Sequence, residues 1–352
     1  MKGDSRRKLL DAKLILAMGA ILLLMLVAAP SFYNSQNLLN IVSNASINGI
    51  VAMGVTLLMV SGGFDMSVGS IMVVSGIVTT MLVKAIGVPL AILIGIFLGI
   101  PMGLLNGILV AKFRVNAFIA TLGTMVIFQG IAFSLTNMKP VSARSPVFQL
   151  FANYELFKGV PIVVLYFLIA VIVIWFVAHF TGFGKYIYAV GGNKEAARMM
   201  GIRVDFYCAA AFVISGLFAA FAGVTLASKI DAASAVFGEN IALPVVASVV
   251  IGGVSLSGGV GRVLGVVQGI FLLALVENMV MYMGLVGYYQ LLFRALVLLG
   301  VVIFDVTYAR FSEKMLERTT FAQLIQSTER EEKPLEEGGG QPLEIVSKEA
   351  RW

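Results

Sequence analysis

Histidine and cysteine are nearly missing from this chain: His179 and Cys208 are the only ones among its 352 residues. A single cysteine excludes an internal disulfide framework, and a single histidine leaves no His-rich ligand set for a metal. Both sit in apolar company, where packing is the expected role. Charge is scarce too, with 12% charged residues against 59% hydrophobic and a mean hydropathy of +0.96. A soluble domain of this length cannot bury that much apolar surface, so a polytopic membrane protein is expected. The chain has no GxxxxGK[ST] phosphate loop and no Ser/His/Asp cluster. Hydrolysis of ATP, covalent catalysis, a bound cofactor and a metal site are therefore not expected of it, nor is a nucleic-acid partner.

What the chain has in abundance is apolar runs, at residues 14–29, 41–61, 66–86, 90–111, 117–137, 161–180, 206–228, 241–256, 263–283 and 289–305. Each is near the roughly 20 residues that span a bilayer, with 241–256 short, so an all-α protein of about ten transmembrane helices is predicted. Alternating sides places Lys2, Arg6, Arg7, Lys8, Lys13, Lys112, Arg114, Lys185, Lys194, Arg198, Arg203 and Arg262 together. The other side receives Lys84, Lys139, Arg144, Lys158 and Lys229. The positive-inside rule then puts both termini in the cytoplasm. Pro30 suits a signal cleavage site poorly, so 14–29 reads as a retained span. The expected organisation is a cytoplasmic N-terminus (1–13), a transmembrane domain (14–306) with a polar segment at 181–205, and a cytoplasmic tail (307–352). That tail is rich in Glu, Gly and Pro and reads as disordered.

The polar segment is a hydrophilic island in the middle of the apolar sequence. Gly191 and Gly192 permit backbone conformations closed to other residues, and Asn193 can cap a helix from Lys194 to Met200 stopped at Gly201. One face of that helix carries Glu195, Arg198 and Met199. The segment reads either as an ordinary loop or as a stub that plugs into a groove on another protein.

A second glycine-rich stretch, GGFDMSVGS from Gly62 to Ser70, separates two apolar runs, and Gly252 to Gly259 partly repeats it. Gly62 and Gly63 can end one helix, while Asp65 or Ser67 can cap the next. The stretch is either a tight turn or a break within the bundle whose freed groups line a polar gate. Asn116, Thr121, Gln129 and Asn278 join Gly62, Gly63, Asp65 and Ser67 as candidates for a path or gate. Asn44, Asn48, Asn106, Thr124 and Gln268 share their two readings, as hydrogen-bond partners for a small neutral solute or as interhelical glue. Gly95, Gly99 and Gly103 form a helix-packing face. Glu277 and Arg294 match in depth and are expected to form an intramembrane ion pair.

The pattern GGN, two residues, AA, three residues, GI, one residue, V from Gly191 to Val204 resembles the coupling segment in permeases of sugar ABC importers. GGFDMSVGSI (62–71), NAFIATLGTM (116–125) and IGGVSLSGGVGRVLG (251–265) are similar to the same family, the ribose, xylose, arabinose and galactose permeases. The resemblance spans about residues 38–305. It implies a cytoplasmic ATPase, which uses ATP and Mg, docked on Gly191, Gly192, Asn193, Glu195, Arg198 and Gly201. It also implies a periplasmic or lipid-anchored sugar-binding protein on the outer face, a second permease chain, and a place in the inner membrane of a prokaryote. Two departures stand out: Ala242-Leu243-Pro244 replaces an acidic E-L-D, and Glu277 replaces an amide. An ion-coupled secondary transporter, with Asp65 and the Glu277/Arg294 pair as coupling groups, is the alternative. An integral membrane enzyme is disfavoured because no nucleophile or metal constellation converges.

Overall fold

The computed structural model describes residues 2–299, apart from Lys158, Glu239, 285–288, 290–291, 293–294 and 297–298. The tail, Arg294 and most of the tenth run lie outside the described residues. The helices are α1 (Lys2–Ala28), α2 (Ser35–Val60), α3 (Val68–Ile86), α4 (Val88–Phe97), α5 (Gly99–Gly107), α6 (Ala117–Thr136), α7 (Pro146–Asn153) and α8 (Val163–Phe180). They continue with α9 (Gly182–Gly192), α10 (Lys194–Met199), α11 (Val204–Ile230), α12 (Ala242–Ile251) and α13 (Val263–Tyr282). Seven membrane-length apolar helices stand among the described residues: α2, α3, the run 88–112, α6, α8, α11 and α13. Two more of the expected runs form the shorter apolar helices Leu14–Val27 and Ala235–Ile251. The protein is a polytopic all-α membrane protein.

The bundle is organised around α2, which is buried along most of its length and packs against α8, α11, α12 and α13. Its replacement of charge by Ile, Val, Met and Ala on every face is what a helix surrounded by other helices requires. Helices α6 and α8 instead expose large apolar side chains such as Ile119, Val126, Ile172 and Phe176, as spans at the outside of a bundle do.

The expected run 90–111 is one span in sequence but two helices and a π-turn (Ile108–Lys112) in space. Pro101 causes the break between α4 and α5: it lacks an N–H and crowds the carbonyl of Phe97, where α4 stops. The glycine face on this span meets its neighbours as predicted. A Cβ on Gly99 would collide with the Gly216 carbonyl and lie 2.8 Å from the Ala220 Cβ, and one on Gly103 would collide with the Phe212 carbonyl. Only bare backbone lets α5 approach α11 this closely.

At one end of the bundle, the connection between α6 and α8 is an ordered cap. Strand β1 (Val141–Ser142) pairs antiparallel with β4 (Ala232–Ala233), and β2 (Glu155–Phe157) pairs with β3 (Val160–Pro161). The Ser228 hydroxyl donates to the Phe148 carbonyl at 2.6 Å, fastening α7 to the end of α11.

After β4 the chain turns back into the bundle. A 3-10 turn, Ala235–Gly238, sets Gly238 against Gly69 near the start of α3, and α12 follows. Pro244 does not break this element: it stands in the first turn of α12, where its missing N–H would have had no helical partner.

At the opposite end, α2 and α12 stop by the same device, one residue out of step with their sequence match. The Gly62 N–H donates to the Met59 carbonyl and the Gly63 N–H to Leu58 (2.9 and 3.0 Å). The Gly253 N–H donates to Val250 and the Val254 N–H to Val249 (2.8 and 3.2 Å). Gly62 and Gly253 take positive φ, 76° and 86°, as such caps demand.

Candidate functional site

The island folds into two helices where the sequence suggested one. Thr181 caps α9 by accepting from the Gly184 N–H at 3.1 Å, and Asn193 caps α10 by accepting from Ala196 N–H at 2.9 Å. The reading of Gly191 and Gly192 as loop residues with special backbone angles is corrected. They form the last turn of α9 and neither has positive φ. Gly201 does, at 78°, and its N–H donates to the Arg198 carbonyl as α10 ends at Met199.

Glu195 and Arg198 pair at 3.0 Å, and Arg198 also reaches Asp205 at 3.3 Å. The carboxylates and the guanidinium stay solvent-accessible, so the pairs orient the stub more than they stabilise it. Ala197 is fully buried in a cluster with Val190, Val204 and Cys208, which pins the stub to α9 and α11. Met199 and Met200 point outward, 88% and 68% exposed. Between the stub and the turn leading into α6 lies a cavity of about 420 Å³, lined by Gly62, Arg114, Asn116, Lys194, Arg198 and Asp205. Asn116 itself caps α6, accepting from the Phe118 N–H at 3.0 Å.

Asp65 is fully buried. Its Oδ1 accepts from the Ser67 N–H at 2.8 Å and the Ser67 hydroxyl at 2.6 Å, so the carboxylate folds over its own turn and neither residue caps α3 through its side chain. Asn106 Nδ2 donates to Ser67 Oγ at 2.7 Å, and the Thr124 hydroxyl donates to Asn106 Oδ1 at 2.6 Å. Thr121 Oγ accepts from the Met66 N–H at 3.1 Å. Burial raises the Asp65 pKa to about 6, against the lowering effect of the Ser67 and Asn106 hydrogen bonds. Neither large cavity is lined by Asp65 or Ser67. Sequence reasoning treated Asn106 as one polar residue among many, yet it ties three helices together here.

A second cavity, about 470 Å³, lies where α3, α6, α12 and α13 meet the chain entering α12. Gln129, Ser70, Asn240 and Glu277 contribute its polar groups; Met66, Leu243, Pro244 and Leu273 contribute apolar wall. Gln129 Nε2 donates to the Ala235 carbonyl at 2.7 Å, holding the 3-10 turn beside the space. Asn240 and residues 235–238 escaped the sequence reading, and Ser70 entered it only as part of the glycine-rich stretch. Their signal was the short run 241–256, since interrupted spans mark binding sites in transporters. Asn278 belongs elsewhere: it exchanges hydrogen bonds with Asn37 at 3.0 and 2.9 Å, joining α13 to α2.

A membrane-spanning bundle with a cavity beside an interrupted helix is the arrangement that transport proteins use. Residues 37–302 match the family model described as branched-chain amino acid transport system / permease component, and the chain belongs to that family. It is 36% identical to the ribose import permease protein of Bacillus subtilis over 293 residues, covering 82% of this chain and 91% of the relative. Against the ribose import permease protein of Escherichia coli K12, identity is 34% over 301 residues, 84% and 94% of the two chains. The galactose/methyl galactoside import permease protein of the same strain is 32% identical over 310 residues, 82% and 92%. No solved structure matches the chain. The protein is the permease subunit of an ABC importer, a transporter component and not an enzyme; ATP is used by separate partner chains.

Proposed function

We propose that this chain moves a sugar or sugar-like solute across the inner membrane of a prokaryote through the cavity beside residues 235–241. The observation that carries the reading is the 3-10 turn there, which interrupts α-helical backbone and is held by Gln129 next to a space large enough for a monosaccharide. Carbonyls and amides freed from helix geometry supply the hydroxyl-binding groups that an apolar wall lacks. The names of the ribose and galactose relatives support a sugar as the solute.

The proposed topology has about ten spans with both termini and the island in the cytoplasm. Gly62, Gly63, Asp65 and Ser67 then form the inner gate turn, with Asn116 and Thr121 at its wall and Gln129 in the path. Asn278 serves as glue beneath the path, and the Glu277 to Arg294 pair rests on matched sequence depth alone. A second permease chain covers the exposed face of α6. There, Val126 and Gly130 carry the cavity wall out to the bundle surface, beside polar groups that lipid cannot satisfy.

The island docks the ATPase. Asn193 and Gly201 fix the ends of the stub, Glu195 and Arg198 fix its charged face, and Met199 and Met200 form its exposed apolar tip. A sugar-binding protein docks on the opposite end, over the cap. The secondary-transport reading loses ground because Asp65 is closed off from both cavities. The test is Met199→Asp with Met200→Asp in the complete complex. Normal membrane insertion with loss of ATPase capture and of transport is expected. Full capture by the variant would return the island to an ordinary loop.

A further inference from the structure

The three glycine-rich segments, far apart in sequence, meet at one point. The Gly259 N–H donates to the Val60 carbonyl at 2.8 Å, joining the turn after α12 to the end of α2. Gly191, in the last turn of α9, lies against both: a Cβ there would overlap the Val60 carbonyl oxygen and come within 2.6 Å of the Gly259 nitrogen. A Cβ on Gly258 would stand 2.8 Å from the Gly62 Cα and 2.9 Å from the Gly191 carbonyl oxygen. The Tyr188 hydroxyl adds a bond to the Gly261 carbonyl at 2.9 Å, again from α9 to the second turn. Side chains can yield by changing rotamer, but backbone packed on backbone cannot.

We propose that Gly191, Gly62 and Gly258 are positioning residues of a transmission joint, which makes the island and both glycine turns move as one piece. The inference rests on the coupling role proposed for the island and deepens it. Displacement of α9 and α10 by the ATPase would reach α2 through Val60 and α12 through the Gly258-Gly259 turn, without passing through a flexible side chain. Since α12 bounds the large cavity, the joint links the docking face to the solute path. Helix propensity and geometry give opposite signs for Gly191→Ala. Alanine favours the helical turn, whereas its methyl group drives the three segments apart.

The experiment reconstitutes the full permease in liposomes with its ATPase and external binding protein, comparing wild type, Gly191→Ala and Gly182→Ala. Gly191→Ala should reach the membrane and capture ATPase normally. Its transport, and the stimulation of ATP hydrolysis by sugar-loaded binding protein, should each fall by about tenfold. Gly182→Ala, whose added Cβ meets only the Tyr186 ring at 3.9 Å, should retain both. Wild-type transport by Gly191→Ala overturns the joint, as does an equal loss in the two variants. Loss of ATPase capture by Gly191→Ala also overturns it, assigning that residue to the docking surface. If Gly191→Ala fails to insert, Tyr188→Phe takes its place, removing one hydrogen bond without adding volume. Fewer solute molecules moved per ATP, with capture intact, supports the joint; an unchanged ratio refutes it. The coupling reading fails separately, when the Met199 and Met200 changes leave capture untouched.

Discussion

Replacing Asp65 with Asn should stabilise the protein at neutral pH, although it removes a buried charge held by hydrogen bonds. The native state keeps the Asp65 proton up to about pH 6, whereas the ordinary value is 3.8. Stability from this group is therefore complete below about pH 4 and is lost as pH rises through 6. The difference corresponds to about 3 kcal/mol at roughly 1.4 kcal/mol per pH unit. Asn retains an acceptor for the Ser67 N–H, the Ser67 hydroxyl and Asn106, while Oδ2, which has no hydrogen-bond partner among the described residues, is replaced by an uncharged amide NH2 group. That figure is already net of the Ser67 and Asn106 hydrogen bonds, so what is subtracted is the cost of burying the unpartnered amide N–H groups, roughly 1 to 3 kcal/mol, which leaves an expected gain of about 1 kcal/mol at pH 7. The side chains that bond Asp65, Ser67 and Asn106, and those bonded beside them, Thr121 and Thr124, do not titrate in this range. Thermal unfolding in detergent, at one scan rate and at steps from pH 4 to 8, would compare the two proteins. The wild-type curve should fall between about pH 4 and 6 and level off above, crossing the flat variant curve so that the variant is the higher at pH 7. A variant less stable than wild type at pH 7, or a gap that does not change with pH, would refute the reasoning.

Two further outcomes follow from packing and topology. Gly99→Leu must push α5 away from the Gly216 carbonyl, an overpacking cost of roughly 1 to 3 kcal/mol, and should lower the monodisperse yield in fluorescence-detected size exclusion. A wild-type yield would show that α5 and α11 can separate freely. For orientation, with Cys208 replaced by Ala, a cysteine at Arg144 should react with an impermeant reagent added outside intact cells and one at Lys194 should not. Outside labelling at Lys194 would overturn the proposed topology.

The chain alone settled what depends on composition and local pattern. Apolar runs of bilayer length announced the spans, because hydrocarbon demands internally bonded backbone and apolar side chains wherever it is met. Gly95, Gly99 and Gly103 announced a packing face because their four-residue spacing fixes them to one side of a helix. Asn193 and Gly201 announced the bounds of α10, since caps act on neighbours in sequence. Long-range partners decided the remainder. No local pattern could separate Asn278, bonded to Asn37, from Gln129, which lines the cavity, because both are amides within apolar helices. The break at Pro101 and the helix-opening role of Pro244 hang on where each proline falls in its turn. Gly191 looked like a loop residue by its neighbours in sequence; its use came from Val60 and Gly259, brought against it only when the three segments packed together.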